Sequence, residues 1–201
     1  MNGKFFDLKK DKQDRMINAA LKVFALNGYR HASTDEIVRE AAISKGLLFH
    51  YFTNKLGLYT FIYEYSVRYL SLELKTALSG KETDPFEIIK LIEQAKLQAL
   101  RGYPYMQQFI TRSMSEDVSE ALLAIEDMRN IMIDTYDSLL NRMDFSRFPI
   151  GIEGRKLVKI LDFTIKGLMS ERFFDASFHP DMLYQEIIDY VDMVKKLTYG
   201  N

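Results

Sequence analysis

Apolar residues return at three- and four-residue steps along almost the whole of this 201-residue chain. That spacing belongs to amphipathic helices, which repeat every 3.6 residues, and not to strands, which repeat every two. Met16, Ile17, Ala20, Leu21, Val23 and Phe24 describe one such face, and Leu122, Ile125, Met128, Met132, Tyr136 and Leu139 describe another. Only four prolines and ten glycines punctuate the chain, so few positions force the backbone out of a helix. The pattern predicts an all-α fold of about nine helices, with no internal repeat and no strand.

Capping residues place the helix ends. Asn27-Gly28 reads as the stop of the first helix, because glycine tolerates the left-handed conformation that closes one. Thr34 reads as the hydroxyl N-cap of the second, with Asp35 and Glu36 suiting the positive helix end. That helix should finish near Ala42, a third should follow Ser44, and a fourth should run from Asn54 to about Leu78. Ser79 to Thr83 reads as a linker. Asp84-Pro85-Phe86-Glu87 combines a cap, a proline at the first helical position and an acid at the third. The helix it opens should reach Leu100, another should run from Pro104 to about Met114, and a long one should cover 118–143. After a loop at 144–152, the last two span about 153–176 and 181–198, divided by His179-Pro180.

The length suits one large domain or two small ones. A net charge of -1 hides an asymmetry: residues 1–55 carry ten Lys/Arg against six Asp/Glu, and the remainder seventeen against twenty-two. A basic head on an acidic body fits a polyanion-binding module joined to a second domain. Lys4, Lys9, Lys10 and Lys12 read as a solvated tail in preference to a DNA-binding arm. With no cysteine, disulfides, zinc ribbons, iron–sulfur clusters and thiol nucleophiles are excluded. No apolar run approaches the roughly 18 residues of a membrane span, and the first residues lack the apolar core of a signal peptide. The expectation is a cytoplasmic protein that does not engage a membrane. His31, His50 and His179 lie far apart, and no metalloprotease, nucleophile-elbow, Walker or dinucleotide motif occurs. Neither catalytic residues, nor a metal, nor a cofactor is expected, and the chain reads as a non-enzyme.

The two short helices between residues 34 and 53 carry most of the functional signal. Helices of seven or eight residues are unstable alone, because nucleation is costly. They persist only when packed, so their shortness must serve a geometric purpose. On a helical wheel Leu48 and Phe52 face inward, toward Ile37, Val38 and Ala41 of the preceding helix and Leu21 and Phe24 of the first. Gly46, Leu47 and His50 then face outward, with Lys45 at the leading end and Tyr51 on the flank. This is a helix-turn-helix whose second helix is offered to something outside the protein.

Phe24, Gly28-Tyr29, Ala32, Thr34, Ile37, Ala41, Ser44, Gly46, Leu48, His50-Tyr51-Phe52, Lys55 and Leu58 together resemble the N-terminal signature of the tetracycline-repressor (TetR/AcrR) family. The resemblance covers about residues 15–60; beyond it only length, helical content and helix number agree. Three departures stand out. Ala42 occupies a position where the family usually has glycine, which implies left-handed strain in the turn. Phe49 replaces a tyrosine and its phosphate contact, a role open to Tyr51. Gly57 replaces an acid near the start of the fourth helix. The resemblance implies a DNA-binding domain over 1–55, its motif at about 34–53, and an effector-binding and dimerisation domain over 56–201. It further implies that the third helix enters the major groove of a palindromic double-stranded operator. Thr34 and Ser44 would offer hydroxyls and helix-start amides to phosphates. Lys45 would reach either a guanine edge or a phosphate, Gly46 would let the backbone approach, and Leu47 would touch a thymine methyl. Phe49 lies beside them, His50 would contact DNA, Tyr51 would donate to a phosphate, and Lys55 would pair with the DNA backbone.

In the body, Tyr103, Tyr105, Met106, Phe109, Met128, Met132 and Tyr136 gather on consecutive helices. They read either as core packing or as the wall of an apolar pocket. The resemblance implies that a small, largely apolar effector binds there, and that the fourth helix carries the change to the head. From Asn54 to Leu78 it spans about 36 Å at 1.5 Å per residue. The wide stripes of the last two helices, including Leu157, Leu161, Thr164 and Leu168, then Leu183, Ile187, Tyr190, Val191 and Val194, imply a homodimer through a four-helix interface. The function implied is a repressor released by its effector. An activator of the same fold is the alternative, and a helical adaptor that does not bind DNA is the more distant one.

Overall fold

A computed structural model describes residues 3–172 and 179–200. Among the described residues there are ten helices and no strand. The four-residue α1 (Gly3–Phe6) is followed by α2 (Lys10–His31), α3 (Thr34–Glu40), α4 (Lys45–Phe52) and α5 (Lys55–Ala77). Then come α6 (Pro85–Gly102), α7 (Met106–Met114), α8 (Ser119–Arg142), α9 (Gly154–Arg172) and α10 (Pro180–Tyr199). The all-α expectation holds; the count exceeds nine because α1 was not foreseen. The anticipated extension of the ninth helix to 176 falls outside the described residues.

The chain forms two compact units, one of residues up to Leu72 with Ala99–Thr135, the other of Glu73–Gln98 with residues from Tyr136 on. In the first, α2 packs against α3 and α7, and α3 against α4. Its core holds Leu21, Phe24, Ile37, Ala41, Leu48 and Phe52, all buried. The inward faces read from the sequence for the three head helices are therefore the observed ones, except that Val38 is only half-buried. Phe24, Tyr59 and Phe109 continue this core as edge-on aromatic pairs with centroids 5.0 and 5.4 Å apart. The Tyr59 hydroxyl donates to Ser113 Oγ at 3.0 Å, so its burial leaves no orphan donor.

The N-terminal segment is not the solvated tail expected. Phe5 is wholly buried against Phe52 and Phe61, and its ring meets that of Tyr51 edge-on at 5.9 Å. The buried amide of Gln13 donates to the carbonyl oxygens of Phe6 and Leu8, fixing the turn that follows α1.

In the second unit Asp84 caps α6 as its sequence suggests, accepting from the amides of Phe86 and Glu87 at 3.0 and 3.2 Å. The Arg142 guanidinium gathers the carbonyl oxygens of Leu78, Gly80 and Glu82, so the presumed linker is tied down. Phe86, Phe148 and Tyr199 stack around the start of α6. The inner faces of α9 and α10 bury Val158, Leu161, Ile165, Leu183, Ile187 and Val191 within the unit.

Candidate functional site

Gly28 governs how α2 ends. At φ +67° and ψ 176° it breaks the helix, and the last turn, Tyr29 to His31, follows as a separate piece. The break directs the Tyr29 amide to Glu116 Oε2 at 2.9 Å, while the Tyr29 hydroxyl donates to Glu120 Oε1 at 2.8 Å. Burial and that hydrogen bond push the Tyr29 phenol up to about 12. On the other side the Lys55 ammonium donates to the carbonyl oxygens of Tyr29, Arg30 and Ala32 at 2.8, 3.3 and 3.3 Å, and lies 4.6 Å from the Tyr29 ring centroid. A cation at helix-terminal carbonyls is well placed electrostatically. All three donors of this ammonium are thus engaged inside the protein. The contact with the DNA backbone expected of Lys55 is not what this geometry offers; Lys55 is a buttress for the elbow between α2 and α3.

The N-cap of α3 is Ser33 and not Thr34. Ser33 has the extended backbone of a cap, and its hydroxyl accepts from the Asp35 amide at 3.2 Å. Thr34 is the first helical residue, half-buried, with its backbone amide still at the exposed helix start. The turn from α3 to α4 passes through Ala42 at φ +52°, the left-handed conformation that alanine at this point was expected to adopt. Ser44 then caps α4, accepting from the Leu47 amide at 3.2 Å.

Along α4, Leu48 and Phe52 are buried, Leu47, Phe49 and Tyr51 half-buried, and Ser44, Lys45, Gly46 and His50 exposed. A Cβ at Gly46 would meet nothing within 4 Å. The Lys45 ammonium reaches back to the Asp35 carboxylate at 2.8 Å. Both groups are more than half exposed, so the pair contributes about 0–1 kcal/mol and releasing the lysine costs little. The imidazole of His50 stands edge-on to Tyr51 with centroids 4.9 Å apart. At the far end of α4, Thr53 (φ +58°, ψ −54°) centres a γ-turn closed by the Asn54 amide on the Phe52 carbonyl oxygen at 2.5 Å. That carbonyl occupies the space a Cβ at Gly57 would need, and this accounts for glycine at a position where an acid was anticipated. Asn54 Oδ1 accepts from the Gly57 amide at 2.8 Å and starts α5.

Residues 16–60, a span containing α3, α4 and the turns that flank them, match the family model described as "Bacterial regulatory proteins, tetR family". The N-terminal domain is of the TetR type. The chain is similar to the HTH-type transcriptional regulator AcrR of Shigella flexneri, 24% identical over 198 residues that cover 94% of this chain and 89% of that protein. Its fold resembles a TetR family transcriptional regulator from Chloroflexus aurantiacus J-10-fl, with a TM-score of 0.67 at 18% identity over 98% of this chain and 95% of the other. It also resembles the transcriptional regulator FadR from Bacillus subtilis, solved in complex with stearoyl-CoA, with a TM-score of 0.52 at 16% identity over 88% and 96%. Each of these similar proteins is a transcriptional regulator.

The second unit holds a cavity of about 330 Å³ between α6, α8 and α9. Ile89, Ile92, Leu139, Leu140, Met143, Val158 and Ile165 supply its apolar wall. Glu93, Lys96, Tyr136, Arg155, Lys159 and Asp162 supply its polar part. Lys96 donates to Glu93 Oε1 at 2.7 Å. Burial opposes the charge on Lys96, but the Glu93 carboxylate outweighs it and holds the ammonium above its ordinary range. Burial also raises the Tyr136 phenol.

Of the seven residues singled out from the sequence as effector wall, only Tyr136 lines this cavity, and Tyr105 is half-buried in the first unit. Tyr103, Met106, Phe109 and Met132 are buried in the first unit, and Met128 is half-buried there. Phe109 packs on Phe24, Tyr59 and Tyr63, while Tyr103 joins Tyr65, Tyr69 and Asp14. Aromatic and Met content marked a core, and the charged side chains of the cavity gave no signal because those of α6 and those of α9 come together only on packing.

The interface set needs a correction of the same kind. Leu161, Leu183, Ile187 and Val191 are buried within the unit and cannot meet a second copy, while Leu157, Thr164, Leu168 and Val194 are half-buried. The outward apolar face is instead Ile160 (58% exposed), Phe163 (59%), Met193 (50%) and Leu197 (77%), with Tyr190 from the original set at its edge. Among the described residues no group of three metal-ligating side chains occurs, and no helix is long and apolar enough to cross a membrane.

Proposed function

We propose that this chain is a TetR-family regulator, a homodimeric repressor that leaves a palindromic operator when a small molecule binds its body. In this reading residues 1–55 form the DNA-binding domain and 56–201 the effector-binding and dimerisation domain. The single observation that carries it is the outward face of α4, where Ser44, Lys45, Gly46 and His50 stay exposed while Leu48 and Phe52 are buried. A major groove about 12 Å wide admits one helix. Gly46 lets the backbone approach, Lys45 and His50 reach base edges or phosphates, and Leu47 and Phe49 supply apolar contact. Tyr51 donates to a phosphate, and the helix starts at Thr34 and Ser44 hold two more.

The cavity between α6, α8 and α9 is the effector site in this reading. FadR of Bacillus subtilis holds stearoyl-CoA on a similar fold, and that supports a ligand-binding role for the body without naming the ligand. Self-association uses the outward face of α9 and α10, because exposed apolar side chains favour burial against a like surface. The effector shifts the population toward dimers whose recognition helices miss the half-site spacing of about 34–36 Å, and the coupling is reciprocal.

Selection of genomic fragments by the purified chain, followed by sequencing, tests the reading. A palindromic site should emerge whose affinity falls steeply with salt. His50→Ala should relax preference at one base position, at a cost of about 1–3 kcal/mol. Fragments recovered without a common sequence, or a chain that stays monomeric in light scattering at micromolar concentration, would refute it.

A further inference from the structure

We propose that the cavity of the second unit takes an amphipathic anion, its apolar part among Ile92, Leu140 and Val158 and its acidic group between Arg155 and Lys159. This rests on reading the cavity as the effector site and adds the sign of the ligand's charge.

The argument is one of charge pairing. Five charged side chains line the cavity: Lys96, Arg155 and Lys159, with Glu93 and Asp162. Each acid already has a lysine. Glu93 is 2.7 Å from Lys96, and Asp162 is 2.6 Å from Lys166. Arg155 and Lys159 are therefore left without an acidic partner among the described residues. Arg155 donates only to the neutral Asn141 Oδ1 at 3.0 Å, and Lys159 lies 5.7 Å from the Phe163 ring centroid. The rim thus carries two uncompensated positive charges beside an apolar wall. Residues 155 and 159 are four apart on α9 and so on the same face. A carboxylate or phosphate placed there accepts charge-assisted hydrogen bonds that a neutral group does not. A cationic ligand meets repulsion at the rim and competes with Lys96 for Glu93. The volume of about 330 Å³ lies at the small end of ligand sites, which run from about 300 to 1,000 Å³, and so fits one short chain or ring system.

The test is calorimetric titration of the full-length chain with three probes of equal chain length: decanoate, 1-decanol and decyltrimethylammonium. Decanoate should bind roughly tenfold or more tighter than decanol, as expected for one charge-assisted bond, and the cation should bind most weakly. Arg155→Gln combined with Lys159→Gln should bring decanoate down to the decanol value and leave decanol unchanged. Ile92→Phe and Leu140→Phe, made separately so that one misfolded variant does not decide the matter, should weaken both. The inference is overturned if no probe binds, if binding ignores charge or favours the cation, or if the preference for decanoate survives the double variant. Anion binding that survives both cavity-filling variants overturns it as well. Retention of the protein's selected DNA is read in parallel. Decanoate that binds as described without loosening DNA refutes the effector role and leaves the ligand class standing.

Discussion

Ala42 and Lys55 show how single residues set the posture of the head. A side chain in the left-handed region costs about 1–2 kcal/mol, and glycine returns about 0.5–1 kcal/mol of this as lost chain entropy. At the exposed Ala42, φ +52°, the difference favours glycine. Ala42→Gly should stabilise the protein by about 0.5–1 kcal/mol, seen as a higher urea midpoint with unchanged slope; an unchanged or lower midpoint contradicts the strain. Lys55→Met should cost about 1–3 kcal/mol, because three carbonyl oxygens of the elbow lose their donor. It should leave the slope of log affinity against log salt intact, whereas loss of a phosphate-bound lysine lowers that slope by about 0.9. Position 42 was legible because a left-handed turn has a residue preference. Lys55 was not, since its partners are backbone atoms more than twenty residues away.

Among the elements, α1 and α4 form a pair. The C-terminal half of α4 has Phe5 of α1 against Tyr51 and Phe52, so the N-terminal turn steadies the helix that faces outward. Phe5→Ala should raise amide hydrogen exchange across Phe49–Thr53 and weaken DNA binding, with exchange in α9 and α10 unaltered. Equal exchange in both proteins would show that the docking is inconsequential. The longer helices were readable from their period, caps and stop signals, including the break at Gly28. A four-residue helix has no period to read, and MNGKFFDLKK looked merely charged. The wide stripes of α9 and α10 did not say which side faces inward. That choice is made by the neighbours, which cover Leu161 and Val191 and leave Ile160 and Leu197 bare.

At the level of the whole molecule, aromatic burial leaves a mark in alkali. Burial above all pushes the phenols of Tyr29, Tyr59, Tyr103 and Tyr199 up to about 12; hydrogen bonds to carboxylates add to it at Tyr29, Tyr103 and Tyr199, while the hydroxyl partners of Tyr59 and Tyr103 oppose it. In the unfolded chain these phenols lose their protons near pH 10. Between those values the folded state binds more protons than the unfolded one, so stability is complete below about pH 10 and is lost as pH rises through about 12. Ultraviolet titration should show a late group of tyrosines that joins the ordinary ones in urea. A single early transition in the folded protein would contradict the burial. Fold class, head and basic-to-acidic asymmetry were all visible in the sequence, because each is a sum over many residues. The cavity was not, since Lys96 of α6 meets Arg155 and Lys159 of α9 only through tertiary packing. The open space around Gly46 has a practical outcome. With no cysteine anywhere in the chain, Gly46→Cys creates one unique attachment point on the exposed first turn of α4. A nitroxide fixed there turns a self-associated pair into a molecular ruler, reporting directly how far apart the two reading heads stand with and without a candidate inducer.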